Sequence, residues 1–184
     1  MSYRVRKRRN RNKHEIYLWT LTLFVAVAVA AFILIFVGER TNVNGESMQS
    51  TLFDGDQVIM DKFTYRLRNP KRYEIVVFPG PNGKDYVKRV IGLPGESVRI
   101  QDGKVYVNDR ELREDYLDAP YTINGELTET ITLRQDEYFV MGDNRFNSED
   151  SRFYAVGPVN RDKMIGRVVF RLFPWNRIGT VNKD

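Results

Sequence analysis

A serine with the makings of a nucleophile, Ser47, stands in NVNGESMQSTL, residues 42–52, and the chain offers no ordinary base to activate it. Cysteine is absent, and the one histidine, His14, lies before a long apolar run. A Ser-His-Asp triad beyond that run is therefore excluded, as are disulfides and thiol catalysis, and a zinc hydrolase is disfavoured because its usual ligands are His and Cys. The remaining base is lysine, which accepts protons usefully only where burial disfavours its charged form. Among the lysines after residue 40, Lys88 in YVKRVIG has the most apolar surroundings, and Lys62 in MDKF, beside Asp61, comes second. On a strand, Tyr86, Lys88 and Val90 share one face and Val87, Arg89 and Ile91 the other, so Lys88 can be buried while Arg89 reaches solvent. The competing reading takes Ser47 as a turn residue and Lys88 as a surface charge, the usual fate of lysine.

A third polar segment, GDNRFNSEDSR, residues 142–152, follows the apolar YFVM. Its spacing does not match an EF-hand loop. As an extended segment it would let Asp150 and Arg152 pair on one side and leave the Ser148 and Ser151 hydroxyls to donate elsewhere. A hydroxyl near a neutral lysine can orient it as a carboxylate orients a catalytic histidine. A solvated surface loop is the alternative.

These residues need elements to hold them. Ile16–Val37 is a run of 22 residues without charge, glycine or proline. As a helix it would be about 33 Å long, enough for a hydrocarbon core of roughly 30 Å. Arg4, Arg6, Lys7, Arg8, Arg9, Arg11 and Lys13 precede it and account for the chain's net charge of +5, leaving the rest close to neutral. That is not the footprint of a nucleic-acid binder. Under the positive-inside rule the basic tail stays in the cytoplasm and the chain after Gly38 lies outside, with Tyr17 and Trp19 near the inner interface. A cleaved secretory signal is the competing reading, but its apolar region would end sooner. The sequence thus divides into a tail at 1–15, a membrane anchor at 16–37 and an extracytoplasmic domain at 38–184.

Beyond the anchor, short runs rich in Val, Ile, Tyr and Phe alternate with turn signals: QVIM, YEIVVF, DYVKRVIGL, SVRI, KVYV, TITL, EYFVMG and KMIGRVVFRLF. Asp54-Gly55 and Asp102-Gly103 mark tight turns, and VRI-QDGK-VYV is the clearest hairpin. No segment there sustains helical periodicity over 12 residues. The reading is an all-β domain with small helical pieces behind one N-terminal transmembrane helix.

The segments GESMQSTL, DGDQVIMDK, YVKRVIGLPGE and GDNRFNSEDSR, in this order behind an N-terminal anchor and followed by IGRVVFRLFP, closely resemble those of bacterial type I signal peptidases. The likeness runs from the anchor to about Pro174. It implies a signal peptidase-like β fold and a membrane-bound serine endopeptidase that removes signal peptides from exported preproteins after Ala-x-Ala-type sites. On this likeness Ser47 is the nucleophile, its backbone N–H contributes to the oxyanion hole, and Lys88 is the general base. Ser148 positions the lysine ammonium, and Asp150 and Arg152 form a structural ion pair beneath it. Val43, Met48, Leu52, Tyr86 and Val87 line shallow pockets for the small −1 and −3 residues. No cofactor or metal is implied. The partners implied are signal peptides of secreted preproteins and the lipid bilayer, with the secretion translocon as a further candidate and no nucleic acid.

Two positions depart from the family pattern. Ser50 stands where proline is usual, which removes a φ restraint beside Ser47. Gly45 stands where some members have a serine that completes the oxyanion hole. A short chain, a single anchor and no cysteine suggest a Gram-positive source. VVFRLFPW is read either as core or as a surface resting on the membrane. A Ser-Lys peptidase dedicated to one substrate or to itself, and a non-catalytic anchored binding domain, are the alternatives.

Overall fold

The computed structural model describes residues 15–30, 38–118 and 121–181. The chain divides into two compact units, Met1–Gly38 and Glu39–Asp184. In the first, residues 15–30 are helical (α1). Among the described residues no helix is long and apolar enough to cross a membrane. Residues 31–37 of the expected anchor, and the tail before residue 15, lie outside the described residues.

The second unit is built from β1 (Gly38–Asn42), β2 (Gln57–Asp61), a single helical turn α2 (Thr64–Leu67), β3 (Ile75–Pro79), β4 (Asp85–Gly92), β5 (Ser97–Gln101) and β6 (Lys104–Val107). There follow β7 (Arg110–Glu111), β8 (Ile131–Thr132), β9 (Glu137–Met141), β10 (Val159–Asn160), β11 (Gly166–Phe173) and β12 (Gly179–Thr180). Two 3-10 turns, Arg161–Lys163 and Trp175–Arg177, flank β11. The larger sheet runs β1-β2-β11-β3-β4-β9-β10, with β12 paired to β11, and the smaller runs β7-β6-β5-β8. The fold is mostly β, with few and short helical pieces, as the sequence predicts.

The strand runs explain themselves by what each face meets. In β3, Ile75 and Val77 enter one core with Met48, Leu52 and Val58, while Val76 and Phe78 enter another with Val90 and Tyr138. A strand buried on both faces needs a continuous apolar run, which is what IVVF supplies. At the far end of β4, Ile91 joins Phe139, Met141 and the apolar face of the smaller sheet in a third core. The QDGK hairpin closes as expected: Gln101 pairs with Lys104, and Asp102 and Gly103 take φ of 51° and 74°. Two positive φ values in a two-residue loop match the twist of the strands they join.

Some runs are shorter than the sequence suggests, KMIGRVVFRLF among them, whose strand begins only at Gly166. YEIVVF enters its strand only at Ile75, because Tyr73 has φ 70° and the Glu74 carboxylate accepts from the Lys71 N–H at 3.0 Å, closing a turn. TITL contributes only the two residues of β8. Of VVFRLFPW, Val168 is wholly buried in the core, whereas Phe173 and Trp175 are exposed.

Candidate active site

The Ser47 loop is fixed from below and from both ends. Met48 accepts from the Leu52 N–H at 2.8 Å, one helical turn that drives both apolar side chains into the core. At the loop's base, Val43 N–H donates to the Asp56 carbonyl at 2.8 Å and Gly55 N–H to the Val43 carbonyl at 2.9 Å. Gly45, at φ 95°, donates its N–H to Asp54 at 2.7 Å. That N–H is committed, and the residue has no hydroxyl, so it adds no oxyanion donor. By contrast the N–H of Ser47 is bonded to no acceptor among the described residues. Ser50, in place of the usual proline, makes one long contact to the Tyr116 carbonyl at 3.5 Å. The loop is held instead at Thr51, whose hydroxyl accepts from Arg89 at 3.1 Å and whose carbonyl accepts from Arg171 at 2.8 Å.

Lys88 comes from the middle of β4, opposite Val76 of β3. Its Nζ donates to Ser47 Oγ at 2.7 Å, and the residue is only 4% exposed. No carboxylate is within bonding reach of the nitrogen among the described residues. Burial pushes its pKa down from 10.5 to about 8. Asp150 opposes this and Arg152 reinforces it, while Glu149 and Asp143 pull the value up; desolvation outweighs them. Lys62 does not line the cleft that holds Ser47. It forms an exposed ion pair with Glu39.

One expectation for this strand is overturned. Arg89 does not reach solvent: it is 1% exposed and lies over the Tyr116 ring, 4.1 Å from its centroid. Its guanidinium grips Asp143 through two bonds of 2.9 and 2.6 Å. Alternation assigns the two faces correctly, but residues from 116 and 143 cover the second face as well.

The 142–152 segment is a compact loop, not an extended strand. Asp150 and Arg152 pair bidentately at 2.8 Å through both contacts, each side chain wholly enclosed. Arg152 also donates to the Ile123 and Arg145 carbonyls. A buried, planar, fully bonded pair of this kind fixes geometry rather than adding much stability. Ser148 donates to Asp150 at 2.7 Å, and among the described residues it has no bond to Lys88. Since the carboxylate can only accept, the Ser148 oxygen keeps its lone pairs for other donors. The Ser151 hydroxyl accepts instead, from the Val140 N–H at 2.9 Å.

Sequence reasoning missed Gly142. A Cβ there would lie 2.2 Å from Ser148 Oγ and 2.4 Å from the Ser47 carbonyl oxygen, so only glycine lets this loop close on the serine. Its N–H is held by Asp150 at 2.9 Å, and the next contact is the Asn144 N–H to the Ser47 carbonyl at 3.0 Å. A glycine directly after the apolar YFVM was the one visible signal.

Ser47 and Lys88 open into a cleft of about 650 Å³. Of the expected pocket residues, Val43, Met48, Tyr86 and Val87 line it. Leu52 does not; it is wholly buried in the core beneath. The helical turn that places Met48 under the cleft carries Leu52, four residues on, one turn deeper. A half-buried hydroxyl bonded to a desolvated amine, with an unpaired backbone N–H beside it, is an arrangement able to perform acyl transfer.

The chain is similar to signal peptidases over most of its length. The family model described as signal peptidase, peptidase S26, matches residues 16–175. A probable signal peptidase I-2 from Synechocystis sp. is 41% identical over 159 residues, covering 83% of this chain and 71% of that protein. A signal peptidase I from Bacillus caldolyticus is 37% identical over 159 residues, covering 80% and 86%. A crystal structure of a signal peptidase I from Enterococcus faecalis has 37% identity and a TM-score of 0.47, covering 54% of this chain and 97% of that one. The chain belongs to the S26 family of signal peptidases. It is a serine peptidase, a hydrolase.

Proposed function

We propose that the protein is a membrane-anchored endopeptidase that removes N-terminal signal peptides from exported preproteins after small residues, with Ser47 as nucleophile and Lys88 as general base. The observation that carries this reading is the 2.7 Å bond from Lys88 Nζ to Ser47 Oγ at a nitrogen that burial deprives of solvent. The substrate lies extended in the cleft, where apolar walls at Val43, Met48 and Val87 take small side chains. Neutral Lys88 takes the Ser47 proton as Oγ attacks the carbonyl carbon of the −1 residue. The Ser47 N–H donates to the oxyanion. The lysinium then protonates the leaving amine as the C–N bond breaks, and a water, deprotonated by the same lysine, hydrolyses the acyl-enzyme.

While Lys88 carries the proton, Ser148 is the group that accepts from it, because the Ser148 hydrogen is already directed to Asp150. The enclosed Asp150–Arg152 pair holds Ser148 in place. Residues 16–37 anchor the chain with the catalytic unit outside the cytoplasm, a reading that rests on length, apolarity and the basic tail. The relatives come from Synechocystis as well as Bacillus, so they do not favour a Gram-positive source.

The test is cleavage of a preprotein with an Ala-x-Ala site by the detergent-solubilised full chain, beside folded Ser47→Ala and Lys88→Ala variants. Wild type should release the mature N-terminus, and each variant should lose on the order of 10⁴-fold or more in rate. Equal activity in all three proteins would remove both roles. Failure of wild type on this substrate with cleavage of another would favour a dedicated peptidase.

A further inference from the structure

Glu149 lies between Ser148 and Asp150, yet its carboxylate turns away from both. It accepts from the Tyr86 hydroxyl at 2.5 Å, a residue 63 positions earlier on β4. Asn82 donates to the same hydroxyl at 3.2 Å. The part-buried Tyr86 ring is also packed at two further points: it meets Phe78 edge-on at 6.1 Å, and a Cβ on Gly80 would come within 2.4 Å of it. Lys88 Nζ is 5.1 Å from the ring centroid. Tyr86 and Glu149 both line the cleft that holds Ser47 and Lys88.

An aromatic ring wedged against a bare backbone is stiff, but its position still depends on what restrains its polar end. Here that restraint crosses from one cleft wall, β4, to the other, the 142–152 loop. The anchor on the loop side is fixed by its neighbours, since Ser148 and Asp150 are bonded to each other and Asp150 is locked to Arg152. Glu149 has no cationic partner among the described ion pairs, so the phenol is its defined contact. The same bond pushes the Tyr86 phenol up to about 12, as expected for a hydroxyl held by a carboxylate.

We propose that Tyr86 and Glu149 form a strap across the cleft that fixes its width, and that Glu149 is thereby a specificity-determining residue restricting the substrate to small side chains near the cleaved bond. The proposal rests on the reading of this cleft as the substrate site. Without Glu149 the ring can swing outward about its side-chain torsions and admit a larger residue. Glutamine at 149 retains an oxygen that accepts from the phenol, so it keeps the strap and loses only the charge. Phenylalanine at 86 keeps the ring and loses the bond.

The experiment measures kcat/KM on an Ala-x-Ala preprotein and on versions with leucine at −1 and, separately, at −3, for wild type, Glu149→Ala, Glu149→Gln, Tyr86→Phe and the Glu149→Ala/Tyr86→Phe double variant. The preference for alanine over leucine should fall by roughly tenfold at one of the two positions in Glu149→Ala, the scale on which apolar pockets discriminate. Tyr86→Phe should relax it similarly, the double variant no further, and Glu149→Gln should stay near wild type. A general loss of stability would lower both rates together and leave the ratio untouched. An unchanged ratio in Glu149→Ala at both positions, or relaxation in Glu149→Ala without relaxation in Tyr86→Phe, overturns the strap alone. Wild type that cleaves none of the three substrates overturns the functional reading, and the strap with it.

Discussion

Lys88 and Arg89 are consecutive residues on one strand, both cations and both almost completely enclosed, at 4% and 1% exposure. Their surroundings differ in one respect. Arg89 has a carboxylate, Asp143, in two-point contact, a carbonyl at Tyr73, a hydroxyl at Thr51 and the face of Tyr116. Lys88 has a neutral hydroxyl and the Tyr86 ring. Burying a cation is tolerable when its charge is matched, and otherwise the group gives up its proton. Arginine cannot do so, whereas lysine can. The strand thus uses one enclosed cation to bind β4 to the 142–152 loop and holds the other where its proton is lost more easily than from an ordinary lysine.

The largest effect should come from making the two positions alike. Lys88→Arg preserves a positive charge but supplies a group that does not deprotonate, so cleavage should fall as far as in Lys88→Ala, on the order of 10⁴-fold or more. In wild type the same dependence should appear as kcat/KM rising with pH through about 8, the value to which burial lowers Lys88. Substantial cleavage by Lys88→Arg, or a profile flat from pH 6 to pH 10, would show that the amine is not the base. The second break is on the other side of the strand. Arg89→Ala leaves the enclosed Asp143 carboxylate unpaired and should cost about 3–5 kcal/mol in denaturant unfolding. A loss below about 1 kcal/mol would mean that the pair is not enclosed in solution.

The contrast also marks what a linear sequence discloses. The apolar company of Lys88 was legible because strand periodicity and residue type are local properties, and the QDGK hairpin was legible for the same reason. The fate of Arg89 was not, because alternation says which face a residue takes and not what covers that face. Here the cover comes from Tyr116 and Asp143, both far along the chain. Leu52 looked like a cleft residue until the Met48–Leu52 turn showed which of the two lies deeper. Gly142 and Glu149 gain their meaning from Ser47 and Tyr86, residues brought beside them only by the fold.

The smallest effect probes the lysine itself through stability. Its folded pKa lies near 8 and its ordinary value is 10.5. Below pH 8 both folded and unfolded chains hold the proton, and the folded protein bears the full cost of an enclosed ammonium. Between about pH 8 and 10.5 the unfolded chain binds more protons than the folded one, so stability rises with pH, and above that window the cost is gone. Lys88→Met replaces the amine by an apolar chain of similar shape. It should be more stable than wild type at pH 7 by up to about 3 kcal/mol, from the separation of the two pKa values. Comparing the two proteins at each pH cancels the titration of all other groups. The gap should close as pH approaches 10.5. A gap that is constant across this range would place the lysine's charge in solvent or in an ion pair, and the difference from Arg89 would vanish.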